Sequence, residues 1–217
     1  MYKLIVFDLD GTLLDTLDDL ASAVNYALKE HGLPVRTVDE VRAFVGNGVK
    51  NLITRAVGEH RENEAEVLSV FRAYYDKHNA DETHVYEGII PLLQALKEKG
   101  VPTAVLSNKH DCATKALVKR YLDGFFHCVM GENEAGGVRK KPAPDALFAL
   151  MERFGVQKNE TLYIGDSEVD IETANNAGVD CLCVLWGFRD EALLTEKGAT
   201  RFAHKPEEIL DILNKEA

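Results

Sequence analysis

Apolar and polar positions along this chain change their period twice. Leu4-Ile5-Val6-Phe7 is an unbroken apolar run that predicts a strand over Lys3–Phe7, followed by Asp8-Leu9-Asp10-Gly11-Thr12. From about Asp15 to Glu82 no strand pattern is convincing, and apolar residues recur at helical spacing instead. The first helix there carries Leu17, Leu20, Val24, Ala27 and Leu28 on one face, ends near His31-Gly32, and has Pro34 just beyond as a stop. Thr37-Val38-Asp39-Glu40 reads as a capping box that opens a second helix. A third helix is expected from about Gly48 through Val57 and a fourth from about Glu64 to His78.

From Tyr86 onward strands alternate with helices, the signature of a parallel sheet built from βαβ units. Helices are expected at Ile89–Lys99, Asp111–Leu122, Pro144–Phe154, Glu168–Ala177 and Pro206–Leu213, with Gly100, Gly155 and Gly178 closing three of them. Strands are expected at Val101–Leu106, Phe126–Met130, Thr161–Ile164, Cys181–Leu185 and near Arg201–Ala203. Because the opening strand needs a sheet to join, residues 1–14 and 83–217 are expected to close into one α/β domain. Its fold is a doubly wound, mostly parallel, Rossmann-like sheet, and residues 15–82 form a small all-α cap domain inserted after the first strand.

Composition narrows the function. The net charge of −11, from 36 acidic and 25 basic residues, argues against a surface for nucleic-acid phosphates. No stretch approaches the ~18 apolar residues of a membrane span, and Met1-Tyr2-Lys3 leads into a strand without a secretory apolar region, so a soluble cytoplasmic protein is expected. Cys112, Cys128, Cys181 and Cys183 show no CxxC spacing and read as reduced, structural residues.

Asp8 and Asp10, two apart at a strand end, face one volume of space, and like charges so placed call for a cation, a proton shuttle, or both. Gly11 lets the backbone turn tightly beside them. In a doubly wound sheet ligands bind beyond the carboxyl ends of the strands. Three further polar segments belong there: Ser107-Asn108-Lys109, Lys140-Lys141-Pro142, and Gly165-Asp166-Ser167-Glu168-Val169-Asp170. Taken singly, each has a plainer reading. The first pair could be a capped turn, Ser107 a helix cap, Lys141 a surface lysine and Asp166 to Asp170 a helix start.

In order and spacing the four segments, with a helical insert after the first, resemble the haloacid dehalogenase superfamily of phosphatases and phosphotransferases across nearly the whole chain. The resemblance implies a phosphatase acting on a small phosphomonoester through an aspartyl-phosphate, with Asp8 as nucleophile and Asp10 as general acid and base. It implies Mg²⁺ held by Asp8, Asp166 and the backbone carbonyl of Asp10, with Asp170 supporting the metal's ligands or Lys141. Ser107 and Lys141 would stabilise the transferring phosphoryl group, and Gly11, Thr12 and Asn108 would help to bind it. Lys141 is preferred to Lys140 because the family lysine immediately precedes proline. In the cap, Phe44-Val45-Gly46-Asn47-Gly48-Val49-Lys50 is similar to the substrate-facing loop of phosphoglycolate phosphatases, which would let Gly46, Asn47 and Gly48 meet substrate and Lys50 or Arg55 a substrate carboxylate. A turn between two helices demands the same residues. Glu87 departs from the proline the family commonly has before Gly88. The partner expected is a small phosphorylated metabolite, with no nucleic acid and no membrane. Within the superfamily a sugar-phosphate mutase and a pyrophosphatase or nucleotidase are the rivals. A non-catalytic binding or regulatory protein on the same scaffold is the alternative of another class.

Overall fold

A computed structural model describes residues 2–215. The chain forms two compact units, Asp15–His84 and the remainder, Met1–Leu14 with Val85–Ala217.

The larger unit is built on a six-stranded sheet in which every pairing is parallel. Its strands are β1 (Leu4–Phe7), β4 (Thr103–His110), β5 (Cys128–Glu132), β6 (Thr161–Gly165), β7 (Asp180–Val184) and β8 (Phe202–Ala203), while β2 (Leu14–Asp15) and β3 (His84–Val85) are two-residue strands at the chain crossings. The order across the sheet is β5-β4-β1-β6-β7-β8. The chain therefore runs from β1 outward to β5, returns to the other side of β1, and runs outward again to β8. This reversal puts the switch point at β1, where Ile5 lies opposite both Thr103 and Leu162. In such a sheet the crevice opens beyond the carboxyl ends of the strands at that point.

All four residues of β1 are fully buried, as a strand covered on both faces requires. At roughly 2 kcal/mol for each large apolar side chain, this burial makes β1 a firm base for the carboxylates that follow. On one face Leu4, Val6, Leu106 and Tyr163 pack with Leu147 and Leu150 of α7 (Asp145–Phe154) and with Ala174 and Ala177 of α8 (Glu168–Ala177). Beyond β7, Cys183 joins Ile171, Leu194 and Ala199 in a smaller apolar cluster. All four cysteines are free.

The smaller unit is helical: α1 (Leu17–Glu30), α2 (Val38–Phe44), α3 (Val49–Val57) and α4 (Glu64–His78). The apolar face expected for α1 is buried at all five positions, against α2 and α4. The capping box at Thr37 is present, with Thr37 Oγ1 accepting from Glu40 N and Glu40 Oε2 accepting from Thr37 N. The unit runs to His84, two residues beyond the expected end at Glu82, and Asp19 ties its last residues to α1. Buried in the first turn of α1, Asp19 accepts hydrogen bonds from Glu82 N (3.0 Å), Thr83 N (2.9 Å) and Thr83 Oγ1 (2.7 Å). Asp19→Ala should lower the stability of the helical unit by about 2–3 kcal/mol, since it strands buried donors rather than removing a matched pair. Urea denaturation followed by far-UV circular dichroism checks this, and a loss under about 0.5 kcal/mol contradicts it.

Two elements differ from the sequence reading in ways that bear on the site. β4 does not stop at Leu106: it continues to His110, with the pairing to β5 slipping between Leu106 and His110. The irregularity re-aims the polar side chains of Ser107, Asn108 and Lys109 without ending the strand. Past β7, a six-residue helix α9 (Glu191–Glu196) goes unmarked by periodicity because it is too short to show any, although Asp190 caps it by accepting from Leu193 N at 2.8 Å. The remaining helices are α5 (Ile89–Glu98), α6 (Asp111–Tyr121) and α10 (Pro206–Lys215). Among the described residues no helix is long and apolar enough to cross a membrane.

Candidate active site

The carboxyl ends of β1, β4 and β6 bring a buried charge cluster together. Asp8 directly follows β1, and its N–H donates to Ile164 O on β6 at 2.8 Å. Its Oδ1 lies 2.9 Å from Lys141 Nζ and has no hydrogen-bond partner of good geometry, although it is buried. Lys141 Nζ also lies 2.7 Å from Asp170 Oδ1 and donates to Tyr163 Oη at 3.1 Å. The backbone of Lys141 is fixed by Asn108, whose Oδ1 accepts from Lys141 N (2.8 Å) and whose Nδ2 donates to Lys141 O (3.0 Å). Neighbouring Lys140 is only half-buried.

Asp166 is held from two sides. Thr12 Oγ1 donates to its Oδ1 at 3.4 Å, and the N–H of Phe188 donates to its Oδ2 at 2.7 Å. Two glycines allow the approach. Gly11 has φ +82°, and a Cβ there would collide with the Asp166 carboxylate; a Cβ on Gly187 would strike Asp166 and Gly11 O. Asp170 caps α8, accepting from Ser167 N (3.1 Å) and Ser167 Oγ (2.6 Å) through Oδ2 while its Oδ1 faces Lys141. Ser107 is buried, and its Oγ accepts from Lys109 N at 3.2 Å. The side chain of Asp10 turns to Lys109, with Oδ1 2.6 Å from Nζ.

Asp8, Asp166 and Asp170 each offer an oxygen within 4.8 Å of the others. Their electrostatics show what this costs. Burial pushes Asp8 up to about 7, Lys141 works against that rise and Asp170 adds to it. Burial, then Asp170 and Asp8, push Asp166 well above the ordinary carboxylate range. Burial works against the Lys141 ammonium, but Asp170 and Asp8 override it and raise its pKa. Lys141 thus pairs with two of the three buried carboxylates, Asp8 and Asp170, and leaves Asp166 without an ammonium partner of its own in the cluster's ion pairs. Hard oxygen donors in negative excess, one of them without a hydrogen bond of good geometry, fit a hard divalent cation.

Some participants carried no signal in the sequence. Tyr163, inside β6, has Asp170 Oδ1 (3.2 Å) and Leu106 O (3.3 Å) within donating reach besides accepting from Lys141. The segment after β7 supplies the Phe188 N–H, and Trp186 Nε1 donates to Thr12 O at 3.0 Å. Arg189, buried, braces that segment on Glu168 at 2.9 Å. Gly187 and the Phe188 N–H act through backbone, which gives no side-chain cue, and Trp186 and Arg189 stand outside the four polar segments read from the sequence. In the helical unit, Gly46, Asn47 and Gly48 link α2 to α3; Asn47 O accepts from Asn51 Nδ2 (2.9 Å), and Arg55 Nη1 donates to Phe44 O (2.7 Å).

Comparison with known proteins follows the same lines. The phosphoglycolate phosphatase of Pseudomonas savastanoi pv. phaseolicola is 36% identical, over 98% of this chain and 78% of that protein. That of Aquifex aeolicus is 35% identical over 86% of each. A crystal structure of a candidate phosphoglycolate phosphatase from Lactobacillus delbrueckii subsp. bulgaricus superposes with a TM-score of 0.89, at 38% identity and 96% coverage of both chains. The sequence profile of the haloacid dehalogenase-like hydrolases matches residues 5–184, a span that takes in Asp8, Ser107, Lys141 and Asp166 together, and the chain belongs to that family.

Proposed function

We propose that this protein is a Mg²⁺-dependent phosphatase that hydrolyses a small phosphomonoester of the phosphoglycolate type, with Asp8 as nucleophile. The observation that carries the reading is the Asp8 carboxylate, buried at the end of the central strand with Lys141 Nζ 2.9 Å from Oδ1 and Asp166 and Asp170 around it. Two relatives more than 30% identical over most of this chain are phosphoglycolate phosphatases, which supports the substrate class.

The chain's own residues would work as follows. Asp8 attacks phosphorus in line with the ester oxygen, forming an acyl phosphate as the P–O(alkyl) bond breaks and its electron pair passes to the leaving oxygen. Asp10 gives that oxygen a proton, then takes one from the water that cleaves the acyl phosphate. Ser107 and Lys141 hold the phosphoryl oxygens, and Asn108, through the Lys141 backbone, keeps the lysine in place. Thr12, Gly11, Gly187 and the Phe188 N–H fix Asp166. A divalent cation held by Asp8, Asp166 and the Asp10 carbonyl would neutralise charge on the phosphate, and Mg²⁺ suits an all-oxygen donor set of this kind. Gly46, Asn47 and Gly48 are assigned a part in substrate choice on their resemblance alone. The four free cysteines fit a reducing cytoplasm, and the negative net charge fits a small metabolite rather than nucleic acid.

Phosphate release from a panel of 2-phosphoglycolate, hexose phosphates, nucleoside monophosphates and pyrophosphate tests the reading. The highest kcat/KM is expected with 2-phosphoglycolate, with activity silenced by EDTA and restored by Mg²⁺. Hydrolysis that persists without metal, or no turnover across the panel, refutes it.

A further inference from the structure

The cluster around Asp8 leaves a second buried ion pair without a task. Lys109 Nζ lies 2.6 Å from Asp10 Oδ1, with the two side chains 6% and 13% exposed. The backbone that presents this lysine is anchored on both sides. Its N–H donates to Ser107 Oγ, and its carbonyl accepts from the fully buried Thr114 Oγ1 at 3.0 Å, where α6 begins. It also sits in the stretch where β4 slips its register, the place in a strand where a side chain can be re-aimed. Burying an ammonium is expensive unless it is paired, and this one is paired with the acid two residues beyond Asp8. The other lysine, Lys141, serves Asp8 and Asp170. The two aspartates at the end of β1 are thus paired with different lysines.

We infer that Lys109 is the positioning residue for Asp10: it holds the carboxyl in the rotamer from which Asp10 serves the leaving oxygen. The inference rests on the proposed proton-transfer role of Asp10. In the first half-reaction an Asp8 oxygen bonds to phosphorus, the P–O(alkyl) bond breaks, and the alkoxide receives the Asp10 proton while the other Asp10 oxygen stays on the Lys109 ammonium. No further reactant is needed. A substrate whose leaving group departs as a stable carboxylate requires no proton, so a misplaced Asp10 should not matter to it.

The test is kcat/KM, which reports the steps through departure of the leaving group, for 2-phosphoglycolate and for acetyl phosphate. Lys109→Met should lower the value for 2-phosphoglycolate by about 30-fold, a part of the 10²–10⁴ that general acid catalysis supplies, and that for acetyl phosphate by less than about 3-fold. Lys109→Arg should recover most of the loss. Asp10→Asn should show the same discrimination more strongly, and adding Lys109→Met to Asp10→Asn should cost less than about 2-fold more, because the two residues act as one unit. The ratio of two substrates on one sample is unaffected by partial unfolding. Equal losses on both substrates, or a further large loss in the double variant, would mean that Lys109 binds phosphate or only supports the fold, and the inference falls. If Asp10→Asn fails to discriminate, the proton-transfer role of Asp10 falls instead.

Discussion

Asp8→Asn should abolish turnover, by about 10⁵-fold or more, the scale of removing a nucleophile whose helpers act with it as a unit. The substitution keeps the volume and planar shape of the side chain but removes the anion proposed to attack phosphorus. The fold should survive. Asp8 is one of three buried carboxylates whose oxygens lie within 4.8 Å, and burial together with Asp170 already disfavours its charged form. Losing its attraction to Lys141 is offset by relief of that crowding, so in EDTA the variant should melt within about 3 °C of the parent, equivalent to roughly 1 kcal/mol for a chain of this size. Acid quench of the wild-type protein during turnover of a ³²P-labelled substrate should trap label on the chain, released by hydroxylamine as an acyl phosphate is; the variant should trap none. Retained activity above about 1% would sink covalent catalysis by Asp8, and a variant that is inactive but unfolded would remove the claim that Asp8 is dispensable for the fold.

The contrast between Asp8 and Lys109 shows what was legible beforehand. Asp8, Asp10 and Asp166 follow apolar runs of strand length, and a residue just past such a run in a βαβ chain lies at the crevice whatever the rest of the fold does. Their placement depended on local pattern alone, as did the burial of Leu17, Leu20, Val24, Ala27 and Leu28 on α1. Lys109 stands in an equally polar segment, yet its partner lies 99 positions away, and the pairing exists because β4 continues past Leu106 and slips against β5. Polar Ser107-Asn108-Lys109 disguised that continuation, since a strand is recognised by its apolar or alternating side chains. Tyr163 was hidden for the opposite reason. It reads as one more large apolar residue in a buried strand, and its hydroxyl matters only because Lys141, Asp170 and Leu106 O converge on it. The Phe188 N–H and Gly187 contribute backbone, which side-chain pattern does not report.

Lys141→Met should be the costliest single change to stability in this site, lowering it by about 3–5 kcal/mol in EDTA, because it leaves buried carboxylates without their cation. Packing does not oppose this estimate: methionine replaces most of the methylene stem, so little cavity forms, and the loss is electrostatic. Lys141 Nζ is within 3 Å of both Asp8 Oδ1 and Asp170 Oδ1, and both its aspartates are themselves buried. Activity should fall by about 10³-fold as well, the upper end for removing one preorganised charge from a transition state. Asp170→Asn in the Lys141→Met background separates the two effects. It removes one stranded carboxylate, so stability should return by at least about 1 kcal/mol relative to Lys141→Met alone, while activity stays lost because no cation has been restored to the phosphoryl group. Urea denaturation of the four members of the cycle measures the coupling. A Lys141→Met loss below about 1 kcal/mol, or additive effects of the two substitutions, would show that Lys141 and Asp170 do not stabilise one another and that the buried lysine is there for the substrate alone.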